Sequence, residues 1–559
     1  MGTGNVTRWL WAVLAATGFV VSSSGNSDCN KARTSKFTTV PTSNGAVTGH
    51  IAPDTSCVLE YLGIPYAKPP VGELRFAAPQ PIDHQSPYMA DNFGFDCPLT
   101  AAKPADYPGL TPQAQRIIDY FASGTGNPQD EDCLTLNIWS KPTARATSAK
   151  KPVLVFLYGG RFSAGSTNTP FWNGKLLADA EDLVVVTVNY RTNIFGFPGA
   201  PGETPNPGLR DQRAAVEWVR DNIARFGGDA DRIVLAGQSA GGVSADYWAY
   251  AYEHDPIVAG LILVSGTAFS FPLNSPDIPA KNWNAVVAAV GCSGGNSTAD
   301  DNDNDDPAAI MTCMRAVPWA DLKAAAAGIR SLPSTSPLRA IPPFYPQADG
   351  ATVFADYASL TEAGHFARIP VIVSTAADEA GWYQMRAYSN SGGAVVPTPA
   401  EVKAFHLESF VCPAVHQATA RRRHPHPTRG GKHGRGVPAW VLRYAADWPN
   451  TRLYDGSGAY HGVDLHMVFG ASEAVSGLPE EAEQSALVRG VQRAWAAFAE
   501  DPWDGLERVR GWPVWEEHGE GNVRKFSLIV LGEDNEASVR LLDSGLYEKP
   551  CKNITMGGA

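Results

Sequence analysis

The chain has 559 residues, 44% hydrophobic and 18% charged, which is enough to bury a large core and too apolar for a disordered polypeptide. Its formal net charge of -12 at pH 7 argues against nucleic acid as a partner, because phosphate backbones are repelled without a strong local basic patch. Length alone suggests roughly four domains, but the candidate catalytic residues are scattered along the chain and must meet, so residues 25–559 read as one large domain with insertions.

In chain order, Arg8 precedes an apolar run from Trp9 to Val21, followed by Ser22, Ser23, Ser24 and Gly25. This is the layout of a signal peptide over residues 1–24. The run falls short of the roughly 20 residues that a bilayer span needs, and no comparable run follows, so no stable membrane span is expected. An exported chain meets an oxidising compartment, and the 8 cysteines, an even number, fit a disulfide framework. Sequons mark Asn296 and Asn553 as candidate glycosylation sites, whereas the one at Asn5 falls within the signal.

Apolar and β-branched runs predict strands at Val153–Leu157, Leu183–Val188, Ile233–Ala236, Leu261–Val264 and Val371–Val373. The first runs into Tyr158-Gly-Gly-Arg-Phe162, either a plain glycine turn or a place where backbone N–H groups face a substrate. Between Leu209 and Phe226, Ala215, Val219, Ile223 and Phe226 recur at three- and four-residue spacing, one buried face of a helix. The next strand ends in Gly237-Gln-Ser-Ala-Gly241, a G-x-S-x-G pattern in which two small residues let strand and helix crowd together while Ser239 projects from the corner. A late helix is marked by Leu487, Val491, Trp495 and Phe498 and stopped by Pro502. Alternating strands and helices predict an α/β fold with a mostly parallel sheet covered on both faces.

A serine hydroxyl is a weak nucleophile, so it needs a base, an acid to orient that base, and donors for the developing oxyanion. On an elbow architecture these follow in the order Ser, Asp or Glu, His. Asp378 and Glu379 both follow a strand and either would serve as the acid. Among 12 histidines, His461 sits in the glycine-flanked Gly458-Ala-Tyr-His-Gly-Val-Asp464. The acidic run Asp300–Asp306 and the basic stretch Arg421–Arg435 read as solvated loops. The flexible Pro/Gly spacing of His424, His426 and His433 fixes no metal geometry.

The chain resembles the type-B carboxylesterase and lipase family, which includes cholinesterases and secreted fungal esterases. The matching blocks are Tyr61–Pro70 with Leu74-Arg-Phe76, Glu131–Ile138, Asp211-Gln212, Phe226-Gly-Gly-Asp229, Gly237–Gly242, Asp378-Glu379 and His461-Gly462. The resemblance implies an α/β-hydrolase fold with large loop insertions, Ser239 as nucleophile, Glu379 rather than Asp378 as acid, and His461 as base. It also implies an oxyanion hole from the backbone N–H groups of Gly160, Arg161 and Ala240, and disulfides Cys97–Cys133, Cys292–Cys313 and Cys412–Cys551, which leave Cys29 and Cys57 as the remaining pair.

Two departures stand out. Arg161 occupies a position where the family usually has a third glycine, its guanidinium either packing outward or lining the pocket to favour electron-rich or acidic esters. Gln238 stands where animal members often carry glutamate; it removes no triad member. Within the first disulfide loop, Thr111–Ala122 is either a lid helix over an apolar pocket or a fixed surface helix. That loop holds no tryptophan, which argues against a cationic substrate.

The resulting expectation is a secreted serine hydrolase that cleaves small-molecule or lipid carboxylic esters through an acyl-enzyme, without metal or organic cofactor. The alternatives are a triacylglycerol lipase with interfacial activation and a non-catalytic binding member of the fold.

Overall fold

The computed structural model describes residues 38–83, 86–142, 150–293, 306–330, 336–425, 436–518 and 524–557. The expected signal peptide, Asn296, Cys29, His426 and His433 lie outside these residues. Thirteen strands are described: β1 (Thr38–Thr42), β2 (Gly45–Ile51), β3 (Leu59–Pro65), β4 (Tyr88–Met89), β5 (Thr135–Ser140), β6 (Lys151–Leu157), β7 (Val184–Val188), β8 (Gly228–Gln238), β9 (Gly260–Val264), β10 (Val371–Ala376), β11 (Ala439–Tyr444), β12 (Phe526–Leu531) and β13 (Val539–Asp543). They form one sheet in the order β1-β2-β3-β5-β7-β6-β8-β9-β10-β11-β12-β13, with β4 paired to β2.

From β7 to β12 every neighbouring pair is parallel, and antiparallel strands flank this block on both sides. The parallel strands are apolar on both faces, as β7 (Val-Val-Val-Thr-Val, all buried) illustrates, because helices cover both sides of such a sheet. The chain steps from β6 outward to β7 and then returns across β6 to β8, so strand order reverses at β6. A crevice opens at the carboxyl ends of the strands flanking such a reversal, and both Tyr158–Phe162 and Ser239 lie there.

The five predicted strands are present, four of them with longer bounds than the apolar runs suggested. The helix expected over 209–226 divides into an α-helix at Pro207–Asn222 and a 3-10 turn at Ile223–Phe226, closed by Gly227 in the left-handed region at φ 87. The late helix runs from Ala482 to Glu500 and buries Leu487, Val491, Trp495 and Phe498. Buried ion pairs tie distant segments together: Arg75 grips Glu131 through two hydrogen bonds, and Arg191 grips Asp211 likewise.

Disulfides join Cys97 to Cys133, Cys292 to Cys313 and Cys412 to Cys551. Cys57 is also disulfide-bonded. Among the described residues no helix is long and apolar enough to cross a membrane.

Candidate active site

Ser239 occupies the corner between β8 and the helix Ala240–Ala251. Its backbone sits at φ 56 and ψ -121, a conformation that L-residues rarely adopt. The glycines either side make the corner possible. A Cβ on Gly237 would collide with the Gly241 carbonyl, and one on Gly241 with the Leu157 carbonyl of the neighbouring strand. Packing this tight fixes the serine relative to the end of β6.

Glu379 follows β10 and is fully buried, with both carboxylate oxygens engaged. Oε1 accepts from the Ala376 N–H at 2.8 Å, and Oε2 accepts from His461 Nδ1 at 2.6 Å. This arrangement puts the imidazole proton on Nδ1 and leaves Nε2 as an acceptor, a tautomer inferred from the bonding pattern. Asp378, the other acid that the sequence left open, is exposed and turned to a different task. It accepts from the Ala459 N–H at 3.1 Å, and its own N–H donates to the Ala459 carbonyl, so it clasps the loop that carries His461.

Ser239, His461 and Glu379 are 4%, 2% and 0% exposed, a sheltered setting in which electrostatic interactions are strengthened. Ser239 and His461 both line one cleft of about 220 Å³. The direct Ser239–His461 hydrogen bond expected of a triad is not among those formed by the described residues. His461 Nε2 instead accepts from the Gln238 amide at 3.0 Å and lies 3.3 Å from the Tyr383 hydroxyl, which lines the same cleft as Ser239. The phenol and the Gln238 amide thus occupy the Nε2 face that the serine would use. Burial raises the Tyr383 pKa, so it is a neutral hydroxyl at ordinary pH.

Gly160 and Arg161 line this cleft too, and Ala240 and Arg161 line a smaller pocket of about 20 Å³ on another side of Ser239. Gly160 is at φ 113, where a Cβ would strike the Ala164 carbonyl. Arg161 and Phe162 take left-handed conformations at φ 57 and φ 58, which glycine would adopt without strain. The structure thus places Arg161 in the pockets rather than outward. Arg161 is exposed where the cleft opens, near the phenols of Tyr383 and Tyr345, and desolvation lowers its pKa.

The helix Ala114–Phe121 roofs one side. Ile117 and Ile118 are buried, Gln113 donates to the Pro449 carbonyl at 2.8 Å, and Arg116 donates to Val475 and Ala474 carbonyls at 2.9 and 3.0 Å. Detaching the helix would expose two large side chains, each worth about 1.5–3 kcal/mol, besides breaking these bonds. Of the two alternatives, these bonds favour the fixed helix. Phe121 ends it with its ring 4.9 Å from that of Trp382 and close against the backbone of Gly462.

Tyr383 and Trp382 are site residues that the sequence reading missed. Tyr383 stands four residues beyond Glu379 at the start of the helix Ala380–Asn390, so one turn of helical spacing from the acid would have found it. Tyr345 and Ile341 come from a proline-containing loop with no periodic signal. The first disulfide loop lacks tryptophan as noted, but Trp172 and Trp382 supply aromatic walls from elsewhere.

The profile of the carboxylesterase family matches residues 36–396. The chlorogenic acid esterase of Aspergillus niger is 30% identical over 533 residues, spanning 92% of this chain and 93% of that protein. Secreted lipase 5 of Gibberella zeae is 31% identical over 523 residues, spanning 89% of this chain and 90% of that protein. A solved PNB esterase structure superposes with a TM-score of 0.69 at 25% identity, covering 92% of this chain and 98% of the other.

Proposed function

We propose, from the premise that this chain belongs to the carboxylesterase family, has the α/β-hydrolase fold and is a carboxylic ester hydrolase, that Ser239, His461 and Glu379 form its catalytic triad. The observation that carries this is the 2.6 Å bond from His461 to the buried Glu379, within a cleft that the strained Ser239 also lines.

Ester entry displaces the Tyr383 hydroxyl, and a small rotation brings Ser239 Oγ onto His461 Nε2. His461 takes the serine proton as Oγ attacks the carbonyl carbon, while Glu379 holds the imidazole and stabilises its cationic form. The N–H groups of Gly160, Arg161 and Ala240 receive the oxyanion, each such donor being worth roughly 100- to 1000-fold in rate. His461 then protonates the leaving alkoxide, giving the acyl-enzyme; afterwards it takes a proton from the water that attacks the acyl carbon and returns it to Ser239 Oγ as the C–Oγ bond breaks and the acid leaves. Gln238 holds the resting imidazole by its amide.

The unequal pockets support esters with one short arm and one bulkier arm. Secretion is supported by the disulfides, by the apolar leader over residues 1–24 and by relatives named as secreted; exposed Asn553 fits a glycosylated surface. Interfacial lipase activity is the second reading, on the name of one relative, and the fastened roof helix favours the esterase. A fluorophosphonate probe should label the mature protein and not Ser239→Ala. Labelling that survives in Ser239→Ala, or none in the wild type, would overturn the assignment. A series of 4-nitrophenyl esters should lose activity steeply as the acyl chain lengthens beyond a few carbons.

A further inference from the structure

Arg161 pairs an unusual backbone with an unusual place. It is held at φ 57, where glycine would sit without strain, and it lines both pockets that meet at Ser239. The deeply buried arginines Arg75, Arg191 and Arg421 each face a carboxylate, whereas Arg161, exposed in the cleft beside the nucleophile, has no hydrogen-bond or ion-pair partner for its guanidinium among the described residues. The groups beside it include the phenols of Tyr383 and Tyr345, both neutral at ordinary pH because burial raises them.

A second cation shares the larger cleft. Arg386 lies 6.0 Å from the Trp382 ring and donates only to neutral acceptors, the Lys103 carbonyl at 2.9 Å and Asn390 Oδ1 at 3.5 Å. None of the residues lining either pocket is acidic. Two guanidinium groups thus border a cleft that otherwise presents aromatic faces. The small pocket, at about 20 Å³, has room for one small group and is walled by apolar side chains such as Val243, Phe271 and Ile341. Charge on the ester must therefore sit on its bulkier arm.

Building on the ester-hydrolase reading, we infer that Arg161 and Arg386 select esters whose bulkier arm bears a carboxylate, with Arg161 supplying the missing counter-charge contact directly beside the nucleophile. A planar carboxylate matches the guanidinium fork, and the aromatic walls accept the ring or chain that carries it. A carboxylate on the substrate gains a charge pair with the guanidinium that a neutral ester lacks, and that difference is the source of discrimination.

The test compares 3-acetoxybenzoate with 3-acetoxybenzamide, which share the acetyl arm and differ in one charge on the phenolic arm. The wild type should favour the acid by about 10- to 100-fold in kcat/KM, the range expected for a partly desolvated charge pair. Arg161→Gln should bring the ratio close to one, Arg161→Lys should keep part of it, and Arg386→Gln should lower it less. The benzamide rate in each variant reports any damage to the oxyanion hole, which would slow both esters alike. A wild-type ratio at or below one, or a ratio unchanged in Arg161→Gln, overturns the inference while Ser239-dependent hydrolysis of the benzamide ester keeps the hydrolase reading intact. If neither ester is hydrolysed, the hydrolase reading fails and the inference falls with it.

Discussion

Replacing Glu379 by glutamine separates the two adjacent acids and can be worked through from the bonds it disturbs. The carboxylate offers one oxygen to the Ala376 N–H and the other to His461 Nδ1, whereas an amide has a single oxygen. If that oxygen stays on Ala376, the amide NH2 faces Nδ1, the imidazole must carry its proton on Nε2, and it cannot accept one from Ser239. If the amide turns over, two donors meet at Ala376, a buried conflict costing about 1–3 kcal/mol. At 1.36 kcal/mol per decade the competent form becomes roughly 5- to 150-fold rarer. That form also lacks the charge-assisted bond to the imidazolium, a further loss of about 1–2 kcal/mol. The product is about 30- to 5000-fold in kcat, its upper end approaching the roughly 10⁴-fold known for a triad acid replaced by its amide. Steady-state and burst kinetics on 4-nitrophenyl acetate measure it, with Asp378→Asn expected to stay within a few-fold of wild type because Asp378 is exposed and an asparagine oxygen can still accept from Ala459. Glu379→Gln retaining more than a tenth of wild-type kcat, or Asp378→Asn falling equally far, would refute the reasoning.

Three other outcomes follow from the same geometry. Tyr383→Phe should label with fluorophosphonate at least as fast as wild type, since the phenol occupies His461 Nε2 in the resting state; a 100-fold loss would mean that it carries the proton instead. Burial, and then the field of Glu379, push Asp464 from its ordinary 3.8 up to about 7. The folded chain therefore keeps a proton that the unfolded chain loses, so this stabilising contribution is complete below pH 3.8 and disappears as pH rises through 7. Asp464→Asn should lose less thermal stability than wild type between pH 5 and pH 8, and parallel Tm profiles would contradict this. Because the roof helix is fastened, hydrolysis of tributyrin should rise smoothly through its solubility limit, and a sharp jump there would show that the helix opens at an interface.

The elbow was legible because its chemistry is local: two small residues must flank Ser239 whatever surrounds it. The fully buried strands β6, β7 and β9 were legible for a similar reason, since a parallel strand covered on both faces reads as an unbroken apolar run. At the edges the signal thins. β1 (Thr-Thr-Val-Pro-Thr) buries one residue, and its proline is tolerated only because little pairs beyond it. β12 carries Leu528-Ile-Val-Leu531, a run that could have been read, whereas Arg443 interrupts the pattern of β11. The choice of Glu379 over Asp378 rested on family resemblance, because both follow the same strand and only the path of the returning loop decides which one meets His461. Whether Thr111–Ala122 was a lid or a fixture depended on carbonyls at Pro449 and Val475, more than 300 residues away in the chain.

Phe121 does two jobs with one ring. It walls the cleft beside Trp382 and also wedges the backbone at Gly462, immediately after His461. Shape and turnover are thereby coupled at that point: trimming the ring to admit a broader molecule also unseats the imidazole's support. A redesign that aims for wider scope while preserving speed has to enlarge the smaller pocket, around Ile341 and Tyr345, and leave this wedge in place.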